Sequence, residues 1–213
     1  MGVVIGTVLG TEERWQTIDR ERAGLADLLE SLSPDEWELP TQCAGWRVRD
    51  VAAHLTLAPS ISYGTAVREL IRARGNIDRM IHDTAVRAAD RPPEDILADL
   101  RSTVGSRRLA PGTTRREPLL DILVHGQDIA LAVARERTMP LEAARDAADR
   151  VWTMRFPPRP WPLPHARLVA TDIEWTRGEG PEISGPVSAL LLLLTGRTEA
   201  ALPWVDRAVP AGS

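Results

Sequence analysis

The chain has 213 residues, 43% of them hydrophobic and 26% charged, and all 26 of its basic residues are arginine. Without a lysine there is no Schiff-base or pyridoxal-phosphate lysine, no phosphate-loop lysine and no kinase-type ATP lysine, which leaves the chemistry of a metal, a histidine, a carboxylate, an arginine or a borrowed thiol. A net charge of -4, with acid interleaved among the arginines, argues against a nucleic-acid partner, because neutralising phosphates needs clustered positive charge.

Met1 to Gly10 is apolar but lacks a basic leader, and it reads as a loose or extended start. From Thr11 to Trp152 apolar residues return at three and four, as in Ile18, Leu25, Leu28, Leu29 and Leu32, and predict helices. Ser33-Pro34-Asp35-Glu36 stops the first helix, and Glu38 to Gly45 is irregular. A second helix is expected from near Trp46 to before Pro59, a third from about Ser60 to Ala89, and another after Pro92-Pro93 with Ile96, Leu97 and Leu100. Thr114 and Glu117 form a capping box for a helix to about Arg135, and Pro140 opens one to about Trp152. This much local helix suggests a bundle.

Between Arg155 and His165 five prolines in eleven residues forbid a regular helix or central strand, so a stiff linker is expected there rather than a proline-rich ligand. Val169, Thr171, Ile173 and Trp175 then alternate as one strand face, and Gly178 to Pro181 is a turn. Glu182 to Ser184 is a short second strand, and Gly196 ends the leucine-rich helix that follows Gly185-Pro186. The expected fold is mainly α: a helical bundle over residues 1–153, then a proline-rich linker and small α/β domain over 154–213. The longest apolar run, Val187 to Leu194, is far short of the roughly 20 residues that span a bilayer, so no membrane partner is expected. Cys43 is the single cysteine, which precludes an intramolecular disulfide and suits a cytoplasmic setting.

Asp50-Val-Ala-Ala-His54 and Asp121-Ile-Leu-Val-His125 each set a carboxylate and an imidazole four apart, on one helical face. Asp121, His125 and Asp128 lie within roughly 60° of each other at about 100° per residue. Ile122 and Ile129 flank this stripe on one side and Val124 and Leu131 on the other, while Val51 and Leu57 flank His54, so both segments read as inward faces. Burying unpaired carboxylates costs several kcal/mol each, which a divalent cation would offset. Buried His-Asp hydrogen bonds, or a stripe covered by arginines, would satisfy the same spacing.

Leu28 to Trp37, followed by Pro40-Thr-Gln-Cys-Ala-Gly-Trp-Arg-Val-Arg-Asp-Val-Ala-Ala-His54, resembles the N-terminal domain of mycothiol-dependent maleylpyruvate isomerase-like proteins, part of the DinB-like four-helix-bundle superfamily. Asp121 to Ala130 resembles the family's second metal segment, and Ala170 to Trp175 and Gly185 to Arg197 resemble the C-terminal portion of its members. The resemblance implies a divalent metal, usually zinc, held by His54, Asp121 and His125, with one coordination position open. Asp121 departs from the family, whose characterised isomerase has glutamate there. Asp128 is the candidate to orient a ligand or hold a bound water, followed by Asp50, whose plainer reading is a helix-start carboxylate.

The resemblance further implies mycothiol as thiol cosubstrate and a small electrophile as substrate. The thiol adds to the double bond and leaves after rotation in an isomerase, or stays attached in an S-transferase. A non-catalytic metal- or ligand-binding bundle and a metal-assisted hydrolase are the other readings. Cys43 is expected to be packed, Trp37 and Trp46 to fill the loop between the first two helices, and His82 and His165 to be solvated. No local motif selects the substrate arginine among Arg72, Arg74, Arg79 and Arg87.

Overall fold

The computed structural model describes residues 9–154 and 165–207. The loose start expected before residue 9 and most of the proline-rich linker lie outside them. Helix α1, Thr11–Glu30, opens on Glu12 and Glu13, which suit the positive end of a helix, and buries Trp15, Ile18, Leu25 and Leu29 along one face. A 3-10 turn at Glu36–Glu38 buries Trp37. Helix α2, Val48–Leu57, follows, and then α3, Tyr63–Arg72, α4, Ile77–Ala89, α5, Pro93–Ser102, and α6, Glu117–Ala132.

Helices α1, α6, α2 and α5 close a ring in which each packs on the next. Its interior is filled by Ile18, Leu25 and Leu29 of α1, Val51 and Ala52 of α2, Ile96 and Leu100 of α5, and Leu119, Ile122 and Ile129 of α6. The α4 helix lies against α2, and α3 against α4. The expected bundle is therefore present, with its third helix corrected. The single helix predicted over residues 60–89 is broken after α3, where Arg74 takes a left-handed φ of 57° and the Gly75 N–H returns to the Leu70 carbonyl at 2.9 Å. That closure ends one helix, and Asn76, whose side chain accepts from the Arg79 N–H at 2.9 Å, starts the next.

The described residues fall into two compact units, Thr11–Arg137 and, with Leu9 and Gly10, Thr138 onward. Sequence had placed everything up to residue 153 with the bundle. Helix α7, Leu141–Thr153, belongs instead to the second unit, because its small buried face of Ala143, Ala144, Ala147 and Ala148 packs on α8, Val187–Leu194. The composition change at the prolines thus falls within a unit, and the boundary falls before α7.

The second unit carries a four-stranded sheet in the order β2-β1-β3-β4, from β1, Arg167–Ala170, β2, Thr176–Arg177, β3, Glu182–Gly185, and β4, Asp206–Arg207. Strands β1 and β3 are parallel and the other neighbours antiparallel. The alternation of Val169 to Trp175 is not one strand. It is a hairpin in which Val169 pairs with Thr176, and Asp172 in the bend accepts from the Val187 N–H at 2.9 Å, at the start of α8. Ile173 and Trp175 are buried all the same, which is why the hydrophobic pattern reads as continuous. Gly178 has a φ of 82°, and a Cβ there would lie 2.2 Å from the Ala166 carbonyl oxygen. Only glycine turns the chain at that point. The short helix Thr198–Ala201, α9, packs on α8. No described helix is long and apolar enough to cross a membrane.

Candidate metal centre

Helices α2 and α6 pack side by side and point His54 and His125 at one another, with ring centroids 4.9 Å apart in an edge-on arrangement. The ring of Trp46, 6% exposed, lies 5.0 Å from that of His54 and 5.8 Å from that of His125. Trp46 sits at the end of a tight loop drawn together by a bridge between Pro40 and Arg47. Within it the Thr41 N–H donates to the Trp46 carbonyl and the Trp46 N–H to the Cys43 carbonyl, both at 2.9 Å, while the Cys43 N–H donates to the Thr41 hydroxyl at 3.2 Å. Gly45 permits this path with a φ of 79°, and a Cβ there would stand 3.3 Å from His82 Nε2.

His54 is half-buried between α2, α6 and Trp46, and desolvation there, followed by the adjacent His125, pushes its pKa from 6.5 down to about 3. A neutral imidazole is the form that offers a lone pair to a metal. His125 Nδ1 lies 2.9 Å from Oδ2 of Asp128, whose side chain has no exposed surface. A carboxylate accepts, so Nδ1 is the donor of this bond and Nε2 is the ring nitrogen turned away from Asp128.

The other expected residues have separate settings. Asp50 accepts from the Arg47 N–H at 2.8 Å and from its guanidinium at 2.9 and 3.1 Å, and so closes the start of α2. Asp121, one turn before His125, is half-buried and acts electrostatically on Arg22, whose pKa is lowered chiefly by burial. Among the described residues, one trio of histidine, cysteine and carboxylate side chains brings its ligand atoms within 4.8 Å of one another: Cys43, His125 and Asp128. Cys43, expected to be packed, is half-buried beside His125 and Asp128, and no sequence signal carried that approach between distant segments. His82, 46% exposed, reaches the rim of the same site, with its ring 6.3 Å from that of Trp46.

Of the four arginines, Arg72 and Arg87 both bond to buried Glu69, and Arg79 pairs with Asp83 at 3.4 Å. Glu69, Arg87, Thr65 and Thr84 line a cleft of about 310 Å³ that also meets Leu57 at the end of α2. An imidazole, a thiol and a carboxylate, with the second imidazole of His54 4.9 Å away between ring centroids, are donor types zinc accepts. The residues present therefore fit a divalent metal.

Two solved structures share the architecture. One, described as the mycothiol-dependent maleylpyruvate isomerase, superposes with a TM-score of 0.63 at 15% identity, over 96% of this chain and 97% of that one. The other, a variant of that isomerase with one histidine changed to alanine, has the same TM-score and coverage at 13% identity. No curated protein matches in sequence. Residues 18–130 match the family described as the mycothiol maleylpyruvate isomerase N-terminal domain. Since that match takes in more than half of the chain, the protein belongs to this family.

Proposed function

We propose that this protein binds a divalent metal, zinc by its donor types, in its bundle and uses mycothiol either to isomerise a small electrophilic substrate or to transfer the thiol onto it, in the cytoplasm. The observation that carries this reading is the pairing of His54 and His125 across α2 and α6, in a chain whose residues 18–130 match the mycothiol maleylpyruvate isomerase N-terminal domain. In this reading His54, Asp121 and His125 hold the metal, as the family resemblance implies. A metal at such a site lowers the pKa of a coordinated thiol, so that the thiolate forms at neutral pH.

The chain's own residues prepare the site. Desolvation keeps His54 neutral, and the bond to Asp128 fixes the ring orientation of His125. Trp46 covers both imidazoles and limits water around them. The guanidinium of Arg87, held by Glu69 in the cleft beyond Leu57, keeps further N–H donors for an anionic substrate group.

The deciding experiment incubates zinc-loaded protein with maleylpyruvate and other activated alkenes, with and without mycothiol. Turnover that requires the thiol is expected. Turnover without it would point to a hydrolase acting through bound water, and metal binding with no turnover of any substrate would leave a binding protein.

A further inference from the structure

The reading above gives Cys43 no task, yet its thiol lies among the site's donors. Sγ of Cys43, a nitrogen of His125 and an oxygen of Asp128 lie within 4.8 Å of one another. Donors around one tetrahedral ion with bonds of about 2.0–2.3 Å stand roughly 3.3–3.8 Å apart, so a shift of about 1 Å by the rotatable Cys43 side chain brings its sulfur into the shell of a metal held by His125, with Asp128 behind that imidazole. The position of Cys43 is built rather than incidental. Its N–H is held by the Thr41 hydroxyl at 3.2 Å, its carbonyl accepts from Trp46 at 2.9 Å, and the loop is pinned at both ends by the Pro40–Arg47 bridge. Trp46, three residues on, packs against both His54 and His125, which keeps the loop against the imidazoles.

We propose that Cys43 is itself a ligand of the metal, so that the chain supplies a thiolate at the position where an outside thiol binds, and a low-molecular-weight thiol enters by displacing it. This rests on the metal site proposed above. The exchange needs no oxidant: the entering thiol gives up its proton as it binds the metal, and the released Cys43 thiolate takes one up. Its consequence is a closed, resting metal site without cosubstrate, opened only by a thiol that competes with an internal one.

Because Cys43 is the single cysteine, sulfur chemistry reports on one atom. Wild-type protein is stripped with a chelator, reloaded with zinc or cobalt(II), and alkylated with iodoacetamide. Zinc is expected to slow alkylation of Cys43, because a thiolate committed to a metal is no longer the free nucleophile. Cobalt(II) is expected to give a near-ultraviolet thiolate-to-metal charge-transfer band, absent in Cys43→Ser. Adding N-acetylcysteine to the cobalt-loaded wild type restores alkylation of Cys43, and adding it to cobalt-loaded Cys43→Ser creates the missing band. Cobalt bound with no such band in the wild type, or zinc bound with alkylation unslowed, overturns the role of Cys43 and leaves the metal site standing. Failure of the wild type to bind either metal overturns both. The wild-type measurements decide the matter even if Cys43→Ser does not fold.

Discussion

Asp128 has no exposed surface and engages the Nδ1 side of His125, so its negative charge is felt by whatever occupies Nε2. Replacing it by asparagine keeps the volume and an acceptor while removing the charge. Zinc affinity of Asp128→Asn, measured by competition with a chromophoric chelator, should fall about 10–100-fold, with the helical circular dichroism unchanged. His54 makes a second prediction at this scale. Its folded pKa of about 3 lies below the unfolded 6.5, so between those values the unfolded chain holds a proton that the folded chain lacks. Stability of the metal-free protein is therefore full above pH 6.5 and is lost as pH falls towards 3. Between pH 7 and 5 the loss attributable to this group is up to about 2 kcal/mol. Urea denaturation of metal-free wild type and His54→Phe at the two pH values should show a smaller pH dependence in the variant; equal slopes would mean His54 is not held neutral.

The two histidines were legible in sequence because each sits on a helix whose apolar neighbours reveal the inward face, and Val51 and Val124 are indeed buried. Leu131, the expected outer flank, is 43% exposed, so the inward stripe narrows before the end of α6. Cys43 was not legible. The local bonds that shape its loop come from Thr41 and Trp46, but its approach to α6 is a contact between distant segments that no periodicity encodes.

At the scale of elements, the ends of helices decide more than their middles. Asp50 illustrates this: its carboxylate takes the Arg47 N–H and side chain and so secures the first turn of α2. Asp50→Ala should cost about 1–2 kcal/mol of stability by chemical denaturation, yet leave zinc affinity within about twofold of wild type. A large loss of affinity at full stability would instead put Asp50 in the metal site. Such local signals also explain what the sequence disclosed of the elements. Proline at the start of α5 and the Thr114–Glu117 pair before α6, whose N–H to carboxylate bond is 2.7 Å, mark real helix starts. The break between α3 and α4 was missed although Gly75 stands in it: Arg74 and Gly75 take left-handed φ of 57° and 79° in turn, and the apolar spacing on either side reads as one continuous helix. The β1–β2 hairpin was missed because Ile173 in its bend is as buried as a strand residue.

For the whole molecule, the ring of α1, α6, α2 and α5 supports the site through side chains that never touch it. Ile122, 2% exposed, lies on the same helix as His125 and fills the ring's interior. Ile122→Ala should destabilise the protein by about 2–5 kcal/mol, seen as a shifted denaturation midpoint. A metal that bridges α2 and α6 binds the folded chain alone, so zinc at a hundred times its dissociation constant should add about 2.7 kcal/mol, and a chelator should remove it. Absence of any zinc-dependent shift in melting temperature would contradict a site shared by two helices. Division into two units was the part least accessible to sequence, since the prolines advertise a boundary while the alanine face of α7 carries the true allegiance.

That allegiance has a consequence for the order of events during synthesis. The eight residues of α8 are too few to hold a helix unaided. Its leucines, Leu190 to Leu194, are buried only once α7, the β1–β3 pair and the Asp172 cap have met. As the chain emerges, Thr11–Arg137 can complete its contacts, whereas α7 must wait, its alanine face bare, for a partner made some thirty-five residues later. Pulse-labelling hydrogen exchange should accordingly find the amides of α1 and α6 protected before those of α7 and α8, and the waiting interval is where chaperone binding and aggregation would concentrate.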